Sequence, residues 1–199
     1  VFEFQYHLGN DVLGSEYNYH RLALSVDKRF DVSVLGYTTI HFEAGKIFGR
    51  VPYPLLILHR ANQTYSYQLL SYNLMNFLEF VSDQYVGLNI DHTFNGFFFN
   101  KIPLIRKLKL REIVTCKILY GNITSNNNPD YHTDLFKFPV EPDGVPITYS
   151  LSEKPYIEAS VGIGNIFKLF RIDLVKRYTY LDHPHVIGTG IRVRFKVDF

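Results

Sequence analysis

Apolar and polar residues alternate one by one through eight stretches of this chain, and that period of two constrains the fold more than any other feature. In the last stretch, GTGIRVRFKVDF, one side holds Ile191, Val193, Phe195, Val197 and Phe199. The other side holds Arg192, Arg194, Lys196 and Asp198. An extended strand separates neighbours in this way because successive side chains point to opposite faces. The same alternation runs through 2–8, 22–26, 32–43, 85–94, 109–120, 157–163 and 171–180. Each strand therefore offers one apolar face and one polar face.

Length and connection pattern decide what those faces meet. Several stretches reach ten residues or more, whereas strands of soluble proteins cluster near ~5–6 and bilayer-crossing strands need about 9–11. Short links fall at Lys28–Phe30 and Asn165–Leu169. Long ones fall at Gly9–Glu16, Gly45–Ser82 and Thr124–Lys154. Short turns at one end and long loops at the other are the pattern of an outer-membrane barrel. The links 95–107 and 182–187 fit it less cleanly. Tyr and Phe (15 and 17, with no Trp) gather near strand ends, among them Tyr17, Tyr19, Tyr120, Tyr156, Tyr178, Tyr180, Phe97–Phe99, Phe167, Phe170 and Phe199. Aromatic rings prefer the two membrane–water interfaces.

The resulting expectation is an all-β chain, an antiparallel transmembrane β-barrel over residues 1–199 with eight strands. The loop 45–82 lies outside or folds into the lumen, and 124–154 (SNNNPD, VEPDGVP) is a surface loop. With the last strand running toward the periplasm, KRF, NIFKL and NGFFFNKIPLIRK lie on that side. Arg192, Arg194 and Lys196 then face a polar lumen, and the apolar rows face lipid. Glu112 and Lys176 break the apolar rows. A bulge, an interface position or contact with protein would each explain them. The competing expectation is a soluble β-sandwich binding module, whose apolar rows pack sheet against sheet.

Other classes are poorly served. Net charge is +2, too small a field to attract nucleic acid. Cys116 stands alone, so there is neither an internal disulfide nor a zinc spacing. No run of eighteen apolar residues occurs, and the start, VFEFQYH, reads as a trimmed or mature piece. No hydrolase elbow, HExxH, P-loop or paired-carboxylate motif appears, so no enzyme and no cofactor is expected. Ser33, His41 and Asp91 on polar rows make a weak catalytic constellation, and Asp182-His183-Pro184-His185 a weak metal one. Asn62-Gln63-Thr64 and Asn122-Ile123-Thr124 match the glycosylation sequon, which reads as accidental in a bacterial barrel. NKIPLIRKLK mixes apolar residues with Lys101, Arg106, Lys107 and Lys109, as a short interfacial segment does.

The stretches MNFLEFVSDQY, FNKIPLIRKLKLRE and IGNIFKLFRID, within 73–114 and 155–184, carry a family resemblance. They resemble the C-terminal barrel of a Bacteroidota outer-membrane family of unknown function. Its members carry an N-terminal carboxypeptidase-regulatory-like domain. That family is similar in layout to the surface-antigen superfamily of the BamA and TamA assembly factors, whose barrels have 16 strands and a long loop folded into the lumen. The resemblance implies that this chain is the C-terminal half of a larger, about 16-stranded barrel in the bacterial outer membrane. It implies a role in envelope biogenesis or in protein assembly or translocation. Outer-membrane lipid and lipopolysaccharide, the barrel assembly machinery, and other outer-membrane proteins or lipoproteins would be its partners. It also makes Phe195, Val197 and Phe199 a C-terminal insertion signal. The superfamily's Val-Arg-Gly-aromatic loop motif is absent. Arg50 and Arg60 stand in the loop instead, as candidates to latch it through Asp91 or Glu112. The alternative role is a barrel that anchors a periplasmic domain or partner complex without transport.

Overall fold

The computed structural model describes residues 1–195 apart from Asp11, Leu13 and Ser152. Lys196–Phe199, and with them Val197 and Phe199 of the expected insertion signal, lie outside the described residues.

Eight strands form one antiparallel sheet: β1 (Phe2–Gly9), β2 (Tyr19–Asp31), β3 (Tyr37–Gly49), β6 (Gln84–Thr93), β7 (Arg111–Asn122), β9 (Tyr156–Ile166), β10 (Phe170–Arg177) and β11 (Thr189–Phe195). They stand side by side in chain order. The sheet is open, with β1 and β11 as its edges. Three short strands, β4 (Ile57–Leu58), β5 (Phe80–Ser82) and β8 (Tyr149–Ser150), form a second sheet that ties together the two longest connections. Among the described residues, helix is confined to single turns and α1 (Pro103–Arg106). None of the helices in the described residues is long and apolar enough to cross a membrane.

The eight expected strands are all present, with shifted ends. Lys28–Phe30 is not a link: it lies inside β2, paired with Thr38–Ile40 of β3. The turn falls instead at 32–36, where Gly36 takes φ 97° and so spares a Cβ from colliding with the Thr93 carbonyl oxygen. Val32 and Val34, read as strand residues, belong to that turn. At the β9–β10 turn Asn165, Phe167 and Lys168 all adopt positive φ.

Alternation distributes the side chains as the sequence requires, with apolar rows exposed and polar rows buried. Val114, Val161, Ile172, Leu174, Ile191 and Phe195 project from one face and are exposed. On the other face Thr115, Lys117, Glu158, Ser160, Arg171, Asp173, Arg177 and Arg192 are buried. What covers this second face is the chain's own long connections. Among the described residues the buried apolar clusters lie between those connections and the covered face, around Tyr72, Met75, Phe80, Leu119 and Tyr156, around Ile47, Val51, Leu56 and Val81, and around Tyr67, Leu74 and Val175. In a β-sandwich the apolar rows would be the buried ones; here, among the described residues, no second sheet packs on them.

The aromatic assignments divide. Tyr120, Tyr178, Phe97, Phe98 and Phe167 are exposed, whereas Tyr156 and Tyr180 are buried beneath the connections, with Tyr19 packed against the Ile47–Val51 cluster. Glu112 is an outward residue explained by protein contact. Its Oε1 accepts hydrogen bonds from the amides of Phe98 (2.9 Å) and Phe99 (2.5 Å) in the β6–β7 connection. Lys176 sits one residue from the end of β10, with its ammonium 5.4 Å from the Tyr178 ring.

Candidate functional site, a charged sheet face under a latched loop

The connection 50–83 crosses the polar face and is held there by charged groups rather than by apolar packing alone. Arg177, at the end of β10, is fully buried. Its Nη2 and Nη1 donate to the two oxygens of Glu79 at 2.5 and 2.8 Å. The remaining donors go to the carbonyls of Thr179 (2.8 Å), Tyr180 (2.7 Å) and Leu74 (3.3 Å), so the guanidinium is satisfied on every side. The Tyr156 ring lies 4.9 Å from its carbon. Such fork-on-fork pairing fixes geometry as well as charge. Glu79 also accepts from the Asn76 amide and meets Nδ1 of His183 at 2.8 Å.

A second fastening lies nearer the middle of the sheet. Glu158 on β9 accepts the amides of Asn73 (2.8 Å) and Leu74 (3.1 Å). Lys117 on β7 donates to the carbonyls of Gln68 (2.7 Å) and Ser71 (2.5 Å) and sits 3.6 Å from Glu158. Arg192 on β11 donates to the Asn73 carbonyl at 2.8 Å. The turn 68–74 is thus gripped by three strands through its backbone, which makes the grip insensitive to the identity of most loop side chains. Tyr67 plugs the space beside it, 4.4 Å from the Arg171 guanidinium and 5.1 Å from the Lys117 ammonium. Burial pushes its hydroxyl up to about 12.

Toward the short-turn end the covered face opens into a cavity of about 590 Å³, roofed by Leu69 and Leu70 of the loop. Arg171 forms its floor, bonded bidentately to Asp173 (2.6 and 2.9 Å) and to Asp91 (2.8 Å). His41 lies at its wall, with Nδ1 2.7 Å from Asp27. Its Nε2 sits 3.7 Å from Glu43, which in turn pairs with Arg60 at 2.5 Å. His59, beside Arg60, is held largely neutral: burial lowers its pKa to about 4, and its Nε2 lies 3.0 Å from the Ser82 hydroxyl.

The expected latch pairs are corrected by this geometry. Arg60 does reach the sheet, but its partner is Glu43 on β3. Asp91 belongs to Arg171, and Glu112 points away from the covered face to the Phe98 and Phe99 amides. Arg50 stays on the surface, 3.4 Å from Asp134. Phe195 ends β11 on the exposed face. Ser33 lies in the β2–β3 turn, so Ser33, His41 and Asp91 form no catalytic group. The residues 182–185 do not converge either: His183 stacks on Tyr149 at 3.9 Å and bonds Glu79, while His185 meets Glu141 at 3.3 Å. Among the described residues no cluster of three or more His, Cys, Asp or Glu could hold a metal ion.

The residues that do the latching, Glu79, Arg177, Glu158, Lys117 and Asn73, were not singled out from sequence. Glu79 carried a signal: it is the one charged residue in the mostly apolar loop run NLMNFLEFV. A carboxylate placed there must be paired when the run is buried.

Fold and site together define an all-β protein built on an eight-stranded antiparallel sheet with one bare apolar face and one charged face under a loop. Residues 1–132 match the family of unknown function (DUF5686) C-terminal domain, and the chain belongs to that family. The match takes in β1 through β7, including the stretch 73–114, and stops before 155–184. No curated protein and no solved structure matches the chain.

Proposed function

We propose that this chain is membrane-embedded wall from an outer-membrane β-barrel, the C-terminal part of a barrel of about 16 strands. The observation that carries the reading is the inverted burial. Ile172, Leu174, Ile191 and Val161 are bare, while Arg177, Lys117, Glu158 and Asp173 are buried on the opposite face. Hydrocarbon is the solvent in which that arrangement is favourable, since each charge turned toward lipid at mid-membrane costs ~2–4 kcal/mol. The outer strands support it too: β1 has a free edge, and β11 is met on its outer side by the loop at Val193, which suits a sheet that continues into further strands.

The loop 50–83 acts as an inward plug. A plug fastened by buried ion pairs favours a barrel whose main task is to hold a periplasmic domain or partner complex at the membrane. One observation favours the assembly or translocation role as the second reading. Tyr67 donates its amide to the Val193 carbonyl, and the Val193 amide donates to the Tyr65 carbonyl, both at 2.9 Å. The edge of the last strand is therefore occupied by the loop, and a substrate strand could take its place.

The test is fractionation of cells that make the full-length protein, followed by unheated gel electrophoresis. The reading predicts recovery in the outer-membrane fraction and a heat-modifiable band. Recovery in the soluble fraction without detergent contradicts it. Depletion then separates the two roles: failure of other outer-membrane proteins to insert supports assembly, and their normal insertion supports anchoring.

A further inference from the structure

The connection between β6 and β7 is too long for a turn and is not part of the plug. It folds at the short-turn end of the sheet, next to the β9–β10 turn, where Asn165 Nδ2 donates to the Lys109 carbonyl at 2.7 Å. Its conformation is fixed from the sheet. The Glu112 carboxylate holds the Phe98 and Phe99 amides, and Asn100 and Arg106 close single turns onto Gly96 and Ile102. The segment leaves Leu104 (79%) and Leu108 (61%) exposed, along with Phe97 and Phe98.

Charge is distributed unevenly between the two ends of the molecule. Connections at this end, 32–36, 94–110 and 167–169, contain five basic residues and no acidic one. Those at the opposite end, 10–18, 50–83, 123–155 and 178–188, contain ten acidic and four basic residues. Lys101, Arg106 and Lys107, with Asn100 and Pro103, line one shallow depression. Among the described residues none of the three basic groups lies within ion-pair distance of a carboxylate. The Lys101 ammonium sits 4.4 Å from the Phe97 ring, so a cation and exposed aromatic surface share one spot.

We propose that this depression binds the phosphate of an anionic phospholipid, with the acyl chains lying against Leu104, Leu108 and the apolar rows. The proposal rests on the membrane reading above and adds its ligand. Three unpaired cations beside exposed apolar side chains match an amphiphile with a negative head and hydrocarbon tails, and each cation near an anionic surface changes partitioning by about fivefold. A soluble anion would use the charge and leave the apolar rim without a partner.

The test uses the full-length protein in nanodiscs of phosphatidylcholine containing one tenth phosphatidylglycerol, with retained lipids counted by native mass spectrometry. The wild type is expected to retain phosphatidylglycerol several times above its bulk share. Arg106→Gln lowers that ratio, Lys101→Gln/Arg106→Gln/Lys107→Gln brings it to the bulk share, and Lys137→Gln/Lys154→Gln at the opposite end leaves it unchanged. Excess inorganic phosphate has no effect. Equal enrichment in the triple variant, or loss of enrichment in free phosphate, overturns the lipid site while the membrane reading stands. Failure of the wild type to enter nanodiscs of any composition overturns both.

Discussion

Arg177 and Glu79 lie 98 residues apart and meet as a bidentate pair with neither side chain more than 2% exposed. The pair joins the end of β10 to the far part of the loop that crosses the sheet. Its solvent is protein on all sides, so its formation is costly and its rupture more so. Arg177→Ala and Glu79→Ala should each lower stability by about 3–5 kcal/mol, because each leaves one buried charge alone. Arg177→Met/Glu79→Leu should recover most of that loss. Urea unfolding in detergent measures the stabilities. Protease cutting within 60–78 reports whether the loop has come away.

The Arg60–Glu43 pair is a weaker fastening, with Arg60 nearly half exposed. The charge swap Arg60→Glu/Glu43→Arg should keep the loop on the sheet; Arg60→Glu alone should loosen it by about 1 kcal/mol or less, and Glu43→Arg alone by more, because Glu43 is nearly buried and also faces His41. Asp91→Arg should not be rescued by Arg60→Asp, since Asp91 is committed to Arg171. A double-mutant cycle on loop proteolysis rates reads both couplings.

Acidification should release the same loop. His59 has a pKa of about 4 when folded, against an ordinary value near 6.5. Between those values the unfolded or detached loop binds a proton that the docked loop excludes. The stability it contributes is complete above about pH 6.5 and falls as pH drops toward about 4. The protection factors of the amides at 57–60, corrected for the intrinsic pH dependence of exchange, should fall across that window, and His59→Phe should flatten the dependence.

Arginine placed on the bare face should be tolerated or rejected by depth. Leu174→Arg and Val161→Arg, near the middle of their strands, should each cost ~2–4 kcal/mol of folding stability in lipid vesicles. Thr189→Arg, at the start of β11, should cost ~0–1 kcal/mol. Denaturant titration in vesicles gives both values.

The strands were legible because period two leaves few alternatives. Ile172, Leu174 and Ile191 on one side and Arg171, Asp173 and Arg192 on the other are separated by the backbone itself. Strand ends were less legible. Lys28–Phe30 looks polar enough for a turn, yet Gly36, six residues past Phe30, supplies the positive φ that the real turn needs. The latch was the least legible part. That the loop carries an arginine to the sheet was readable, but its partner depends on register, and register placed Glu43 rather than Asp91 under Arg60. Glu79 and Arg177 could be paired only once the loop's path was known, because nothing local in either segment specifies the other. Tyr156 and Tyr180 misled for a related reason: aromatic residues at strand ends serve an interface or a core equally well, and only the covering loop decides which.

The central claim is that hydrocarbon covers the bare rows. In a Cys116→Ser background, single spin labels walked along β9 from Ile157 to Ile163 in lipid vesicles test it most directly, read by collision with oxygen and with a water-soluble nickel chelate. High oxygen access at Ile157, Ala159, Val161 and Ile163, alternating with low access at Glu158, Ser160 and Gly162, is the predicted pattern. High nickel-chelate access along the first set, or a protein that stays monodisperse in plain buffer and never enters the vesicles, would contradict it.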